Sequence, residues 1–145
     1  MKLALLSITL FAMGLLVGAQ TTGAGVVYVD AEKVAAAVAK GGNLVSAPNL
    51  TVLGAHREAA GQVEVHDKET DVIYVIEGEA TFVTGGQMVG AKQSRPNQWL
   101  ASDITSGQSR HAGKGDIFVV PAGTPHWFKQ VPKSINYLVV KVLKP

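Results

Sequence analysis

The chain has 145 residues, 47% of them hydrophobic and 17% charged, with no Cys and a formal net charge of +2 at pH 7. Those values fit one compact domain, and the missing Cys excludes disulfides, thiolate metal sites and a lipid-bearing cysteine. Acids and bases are mixed along the chain without a basic block, which excludes the electrostatic footprint of a nucleic-acid binder.

The first element is a leader. Met1-Lys2 precedes the apolar run LALLSITLFAMGLLVGA, which ends on the small residues Val17-Gly18-Ala19. A basic start, an apolar stretch and small residues before a cut predict a secretory signal peptide over residues 1–19. The run approaches the roughly 20 apolar residues that span a bilayer, but its Ser, Thr and two Gly dilute it. The expectation is a secreted or periplasmic protein without stable membrane association after cleavage.

Residues 20–49 form an N-terminal extension. Within it Asp30 is placed to cap a helix, Ala and Lys favour that helix, and Gly41-Gly42 stop it. From residue 50 the pattern becomes short β-type runs: Thr51 to Ala55, Gln62 to His66, Val72 to Ile76, Ala80 to Thr84, Ile117 to Val120, Trp127 to Val131 and Tyr137 to Val142. Turn residues punctuate them, with Glu77-Gly78-Glu79 reading as a hairpin turn. Many short strands at this spacing predict an all-β antiparallel sandwich or small barrel over residues 50–145. The stretch from Gly85 to Gly115 is longer than a hairpin loop and predicts either a pocket cover or extra surface strands with Trp99 at the core edge.

Two stretches carry chemistry. In QVEVHDKETD, residues 62–71, the residues Gln62, Glu64 and His66 alternate along a strand, and Asp71 closes the segment. Taken alone, this fits a wet strand end as well as the wall of a metal site. Further on, a turn glycine at Gly115, a strand, the corner Pro121-Ala122-Gly123 and then Pro125-His126 set one imidazole at a rigidly held strand start.

This second stretch resembles the second motif of the cupin superfamily, with Gly115, Pro121, Gly123 and His126 on the motif and Gln130 where the family usually has Asn. The first cupin motif is matched by His66 and Gly78, while Glu64 stands in a His position and Asp71 in the Glu position. The resemblance covers roughly residues 50–143. It implies a double-stranded, jelly-roll-like β-barrel with a divalent metal in its mouth, held by Glu64, His66, Asp71 and His126. On alternating strands, Glu64 and His66 share a face, a hairpin partner brings Asp71 to it, and a neighbouring strand adds His126.

Such a nitrogen and oxygen set suits Mn, Fe, Zn, Ni or Co. Two carboxylates would cancel the charge of the ion and give a neutral site. Should Asp71 be too short to reach, Glu64, His66 and His126 form a two-His, one-carboxylate face, or Asp71 orients His66 from behind. His56, Arg57, Arg110 and His111 read as surface polar residues, the alternative being an arginine that meets an anionic substrate. Tyr74, Phe82, Phe118, Trp127 and Phe128 read as core.

The functional expectation is an exported cupin that binds a divalent metal and acts on a small organic molecule, by oxygenation, decarboxylation or isomerisation. Two alternatives stand beside it. One is a non-catalytic module that binds a small molecule or a metal; the other is a barrel with a vestigial site, with a homodimer as a possible assembly.

Overall fold

A computed structural model describes residues 25–144. The leader expected at residues 1–19 lies outside the described residues. Among the described residues no helix is long and apolar enough to cross a membrane.

Helix α1 spans Ala31–Lys40, as its signals require. The Asp30 carboxylate accepts from the amide of Lys33 at 2.9 Å, satisfying a first-turn donor, and Gly41 ends the helix at φ +76°. Its apolar side rests on the sheet behind it. The approach is so close that a Cβ at Gly54 would lie 2.4 Å from the carbonyl carbon of Ala37.

Twelve strands follow: β1 (Gly42–Ala47), β2 (Leu50–Arg57), β3 (Val63–His66), β4 (Glu69–Thr84), β5 (Gln87–Val89), β6 (Lys92–Arg95), β7 (Gln98–Ala101), β8 (Asp103–Thr105), β9 (Gln108–Gly113), β10 (Ile117–Val120), β11 (His126–Gln130) and β12 (Ile135–Leu143). All the pairings are antiparallel. Strands β5 and β8 pair apart as a two-stranded ribbon, and the other ten strands build two sheets that share β4. Its first half continues the order β1-β2-β12 and also pairs with β10, while its second half pairs with β9 and with β11, beyond which lie β3, β7 and β6.

The sharing corrects one expectation from the sequence. Glu77-Gly78-Glu79 is not a hairpin turn: β4 runs straight through it for 16 residues. Gly78 sits at φ +79°, and a Cβ there would fall 2.0 Å from the carbonyl oxygen of Ser134. The bend also changes the buried phase, from Asp71, Ile73 and Val75 before it to Ala80 and Phe82 after it. One strand thereby passes from the first sheet to the second.

The core lies between the sheets. Phe82 is fully buried against the Phe118 and Phe128 rings, in one core cluster with Val75 and Ile135, and the Phe128 ring stacks on Tyr137 with centroids 4.8 Å apart. Tyr74, expected in the core, is instead 44% exposed on the outer side of β4. The region from Gly85 to Gly115 supplies extra strands, β5 to β9, rather than a long loop. Trp99 pairs opposite Val65 and donates its indole N–H to Asp67 at 3.0 Å, so it stays at the barrel's margin.

Candidate metal centre

Three strands deliver the polar residues to one end of the barrel. On β3, alternation sends Val63 and Val65 one way and Glu64 and His66 the other. β11 pairs with β3 so that His126 lies directly opposite Glu64. Asp71 does not come from a hairpin partner of β3, as alternation had suggested. It reaches the site from the first sheet, across the barrel, because β4 pairs there with β12 and β10.

The donors converge. One ligand atom each from Glu64, His66 and His126 lies within 4.8 Å of the others, and the same holds for His66, Glu69 and Asp71. His66 Nε2 stands 3.6 Å from Glu64 Oε2 and 3.4 Å from Asp71 Oδ2, while His126 Nε2 stands 3.7 Å from that same Asp71 oxygen. Donors at about 2.1 Å around a tetrahedral ion are separated by about 3.4 Å, so the carboxylate oxygens stand from the two imidazoles at spacings of the size a cation asks, with Glu64, His66 and His126 as one compact group and Asp71 in a second group that shares His66. Asp71 therefore reaches both imidazoles despite its short side chain.

The hydrogen bonds favour the same reading. The imidazole of His66 is 4% exposed, yet neither ring nitrogen has a hydrogen-bond partner. Its approaches to Glu64, Glu69 and Asp71 are electrostatic contacts without hydrogen-bond alignment. A buried polar atom left unpaired costs about 1–3 kcal/mol, and coordination would offset that cost. In His126, Nδ1 meets the carbonyl oxygen of Thr124 at 3.1 Å. A carbonyl only accepts, so Nδ1 carries the proton and Nε2 turns its lone pair into the cluster. Burial pulls the pKa of His126 below the ordinary imidazole value, which keeps the ring neutral and ready to ligate.

Asp71 is ionised for a different reason. Burial alone would raise its pKa, but His66 and Lys141 outweigh it and hold the carboxyl below its ordinary value. Lys141 lies directly opposite Asp71 in the β12–β4 register, and its Nζ donates to both carboxylate oxygens at 2.8 and 2.9 Å. The sequence reading missed this lysine. It also alters the expected charge neutrality, because Lys141 already balances one of the two carboxylates.

Arg57 is a second departure. It is not a surface residue: it lines the cavity beside the cluster, its Nε donating to the hydroxyl of Tyr137 at 2.7 Å and its Nη2 lying 3.6 Å from Glu64 Oε1. The guanidinium also lies over the Phe128 ring, 5.3 Å from its centroid. Burial raises the pKa of Tyr137 while Arg57 opposes the rise, so the phenol stays protonated at neutral pH. His56, by contrast, is held by Asn136 and Glu58 away from the cavity, and Arg110 and His111 are exposed. The cavity has a volume of about 160 Å³, and Leu53, Ala55, Ile73 and Val139 supply apolar wall.

The fold and site together define a small double-sheet β-barrel with a nitrogen and oxygen donor cluster at one end. Residues 49–143 match the family model described as Cupin, and the chain belongs to the cupin family. Among curated proteins, none matches. A Bacillus halodurans protein of known structure is similar at 14% identity over 71% of this chain and 69% of its own, with a TM-score of 0.51. A Klebsiella pneumoniae protein with a double-stranded β-helix domain is similar at 17% identity over 70% and 69%, with a TM-score of 0.50. The Streptomyces nucleoside dehydratase Pac13 is 16% identical over 70% of this chain and 65% of its own, just under two thirds, with a TM-score of 0.47. At these identities the likeness is one of fold.

Proposed function

We propose that this cupin holds a divalent metal ion through Glu64, His66 and His126, with Asp71 as a fourth donor, and acts on a small organic molecule in the adjoining cavity. The observation that carries the reading is His66: a buried imidazole with neither nitrogen hydrogen-bonded, set among carboxylates and a second imidazole that presents its lone pair. The donors are nitrogen and oxygen only, which suits Mn, Fe, Zn, Ni or Co. A metal held there supplies a Lewis-acid face that polarises the oxygens of a bound molecule.

Elemental analysis of natively purified protein tests the reading. Near-stoichiometric divalent metal is expected in the wild type, with strong loss in Glu64→Ala and partial loss in Asp71→Ala. A metal content near zero, unchanged by His66→Ala together with His126→Ala, overturns it.

A second reading, a non-catalytic binding module, is favoured by the titratable groups of the cavity. Beyond the proposed ligands these are Arg57, Tyr137 and Lys141, and none is free to act as a general base: Tyr137 is protonated, while Arg57 and Lys141 face carboxylates. Substrate loss or oxygen uptake after metal reconstitution, with an assortment of small acids and phenols, separates the two. The leader read at residues 1–19 adds the proposal that the protein works outside the cytoplasm, tested by N-terminal sequencing of exported material, where a start at Gln20 is expected.

A further inference from the structure

We propose that the cavity, once a dication is bound, receives a small organic anion carrying a carboxylate, with Arg57 as the group that grips it and Tyr137 as the residue that positions Arg57. The inference rests on the metal reading above. Its starting point is the charge of the cavity wall. Two cations, Arg57 and Lys141, and two anions, Glu64 and Asp71, line it, and they are matched in pairs: Arg57 with Glu64 at 3.6 Å, Lys141 with Asp71 at 2.8 Å. His126 is neutral.

The wall therefore sums to zero, and a dication raises it to +2. Glu69, 3.4 Å from Lys141 and 3.7 Å from His66, lies behind the imidazole outside this cavity and brings the surroundings to +1. Much of the remaining wall is apolar, formed by Leu53, Ala55, Ile73, Phe128 and Val139. In such surroundings an uncompensated positive charge is costly, and an anion relieves it.

Arg57 is built to receive that anion. Tyr137 fixes Nε, the Phe128 ring lies beneath the guanidinium, and Gly61 leaves it room, since a Cβ at Gly61 would fall 2.7 Å from Nη1. The Nη2 contact to Glu64 is too long for a hydrogen bond, so that side of the fork is uncommitted. A metal drawing on Glu64 also takes up the charge that Arg57 now faces. A planar, pre-positioned fork matches a carboxylate in two-point contact. The cavity volume of about 160 Å³ is close to that of a cavity of about 150 Å³ that takes up benzene, which admits an acid of two to four carbons.

The test titrates acetate, malonate and succinate by calorimetry into Mn-loaded and metal-stripped protein, with malonamide as the uncharged counterpart of malonate. At least one of the acids is expected to bind the loaded wild type and to bind the stripped protein at least tenfold more weakly. By linkage that acid tightens Mn binding by the same factor. Malonamide is expected not to bind. Arg57→Gln is expected to weaken acid binding at least tenfold with metal content unchanged. Arg57→Lys, which keeps the charge but loses the fork, and Tyr137→Phe are each expected to weaken it several-fold.

Loaded protein that ignores all three acids, or binds malonamide as well as malonate, overturns the anion inference and leaves the metal reading standing. Undiminished acid binding by Arg57→Gln overturns it equally. Protein that takes up no Mn overturns the metal reading and this inference together.

Discussion

The backbone amide of Gly123 donates to the carbonyl oxygen of His66 at 2.8 Å, so the Pro-x-Gly corner and the strand that carries the central imidazole are fastened directly to each other. The two polar motifs, far apart in sequence, are thus parts of one piece of backbone geometry. Gly123 holds φ +79°, and a Cβ there would meet no atom within 4 Å. The cost of a side chain at this position is therefore conformational rather than steric. Gly123→Ala is expected to lower stability by about 1–2 kcal/mol, and Gly123→Asn by less, because Asn tolerates the left-handed region. Urea unfolding of the three proteins checks this, and equal losses for Ala and Asn would show that backbone strain is not the cause.

The pairing of Lys141 with Asp71 sets a second expectation. Asp71 is 4% exposed and receives both of its short contacts from one ammonium. Lys141→Met leaves that carboxylate buried without its cation, and a loss of about 3 kcal/mol is expected, the lower end for a broken buried pair because Lys141 is itself partly exposed. Adding Asp71→Asn to Lys141→Met is expected to recover much of the loss. A double-mutant cycle on metal-stripped protein measures the coupling. Added Mn should then stabilise the single variant more than the double variant, because only the single variant keeps the carboxylate; equal stabilisation would remove Asp71 from the ligand set.

Much of this arrangement is legible in the sequence, and what is not has a common origin. The helix is read correctly from Asp30 and Gly41 because caps are local chemistry. The double-sheet barrel follows from strand spacing together with the residues shared with cupin motifs. Gly78 is misread because a glycine at positive φ looks the same in a hairpin turn and in a strand that bends from one sheet into another; only the clash with Ser134, 56 positions along the chain, tells them apart. Lys141 and Arg57 carried a weaker signal. Lys141 shares the inward parity of Ile135, Tyr137 and Val139 on β12, and Arg57 shares that of Leu53 and Ala55 on β2. A charged residue in the buried phase of a strand marks a site, and parity rather than residue type was the informative feature.

Gly78→Ala tests the bend. Here the added Cβ meets a backbone carbonyl oxygen at 2.0 Å, and neither atom belongs to a flexible side chain. Strand β4 and the segment before β12 would have to separate, breaking the pairing of Ile135 with Gly78. Overpacking of this kind costs about 1–3 kcal/mol or more, and the left-handed φ adds about 1–2 kcal/mol. The variant is expected to unfold at a much lower temperature than Gly123→Ala, which carries the conformational cost without the clash. Similar melting of the two variants in calorimetry would mean that the Ser134 loop yields freely.

The acid limb of stability follows from His126. Its pKa lies below the ordinary value of 6.5 because burial disfavours the charged ring. Below pH 6.5 the unfolded chain therefore binds more protons at this residue than the folded protein does. The contribution of His126 is fully present above pH 6.5 and is lost as the pH falls toward its folded pKa, with a slope approaching about 1.4 kcal/mol per pH unit. Asp71, also depressed, adds a loss only when the pH falls through 3.8 and below. His56 acts in the other direction: Asn136 and Glu58 raise its pKa, so its contribution is present below 6.5 and is lost above it. The windows do not overlap, which lets denaturant melts of metal-stripped protein between about pH 4.5 and 6.5, beneath the ordinary imidazole value, read His126. A falling stability in the wild type and a flatter profile in His126→Gln are expected. An equally steep profile in the variant would place the titrating group elsewhere.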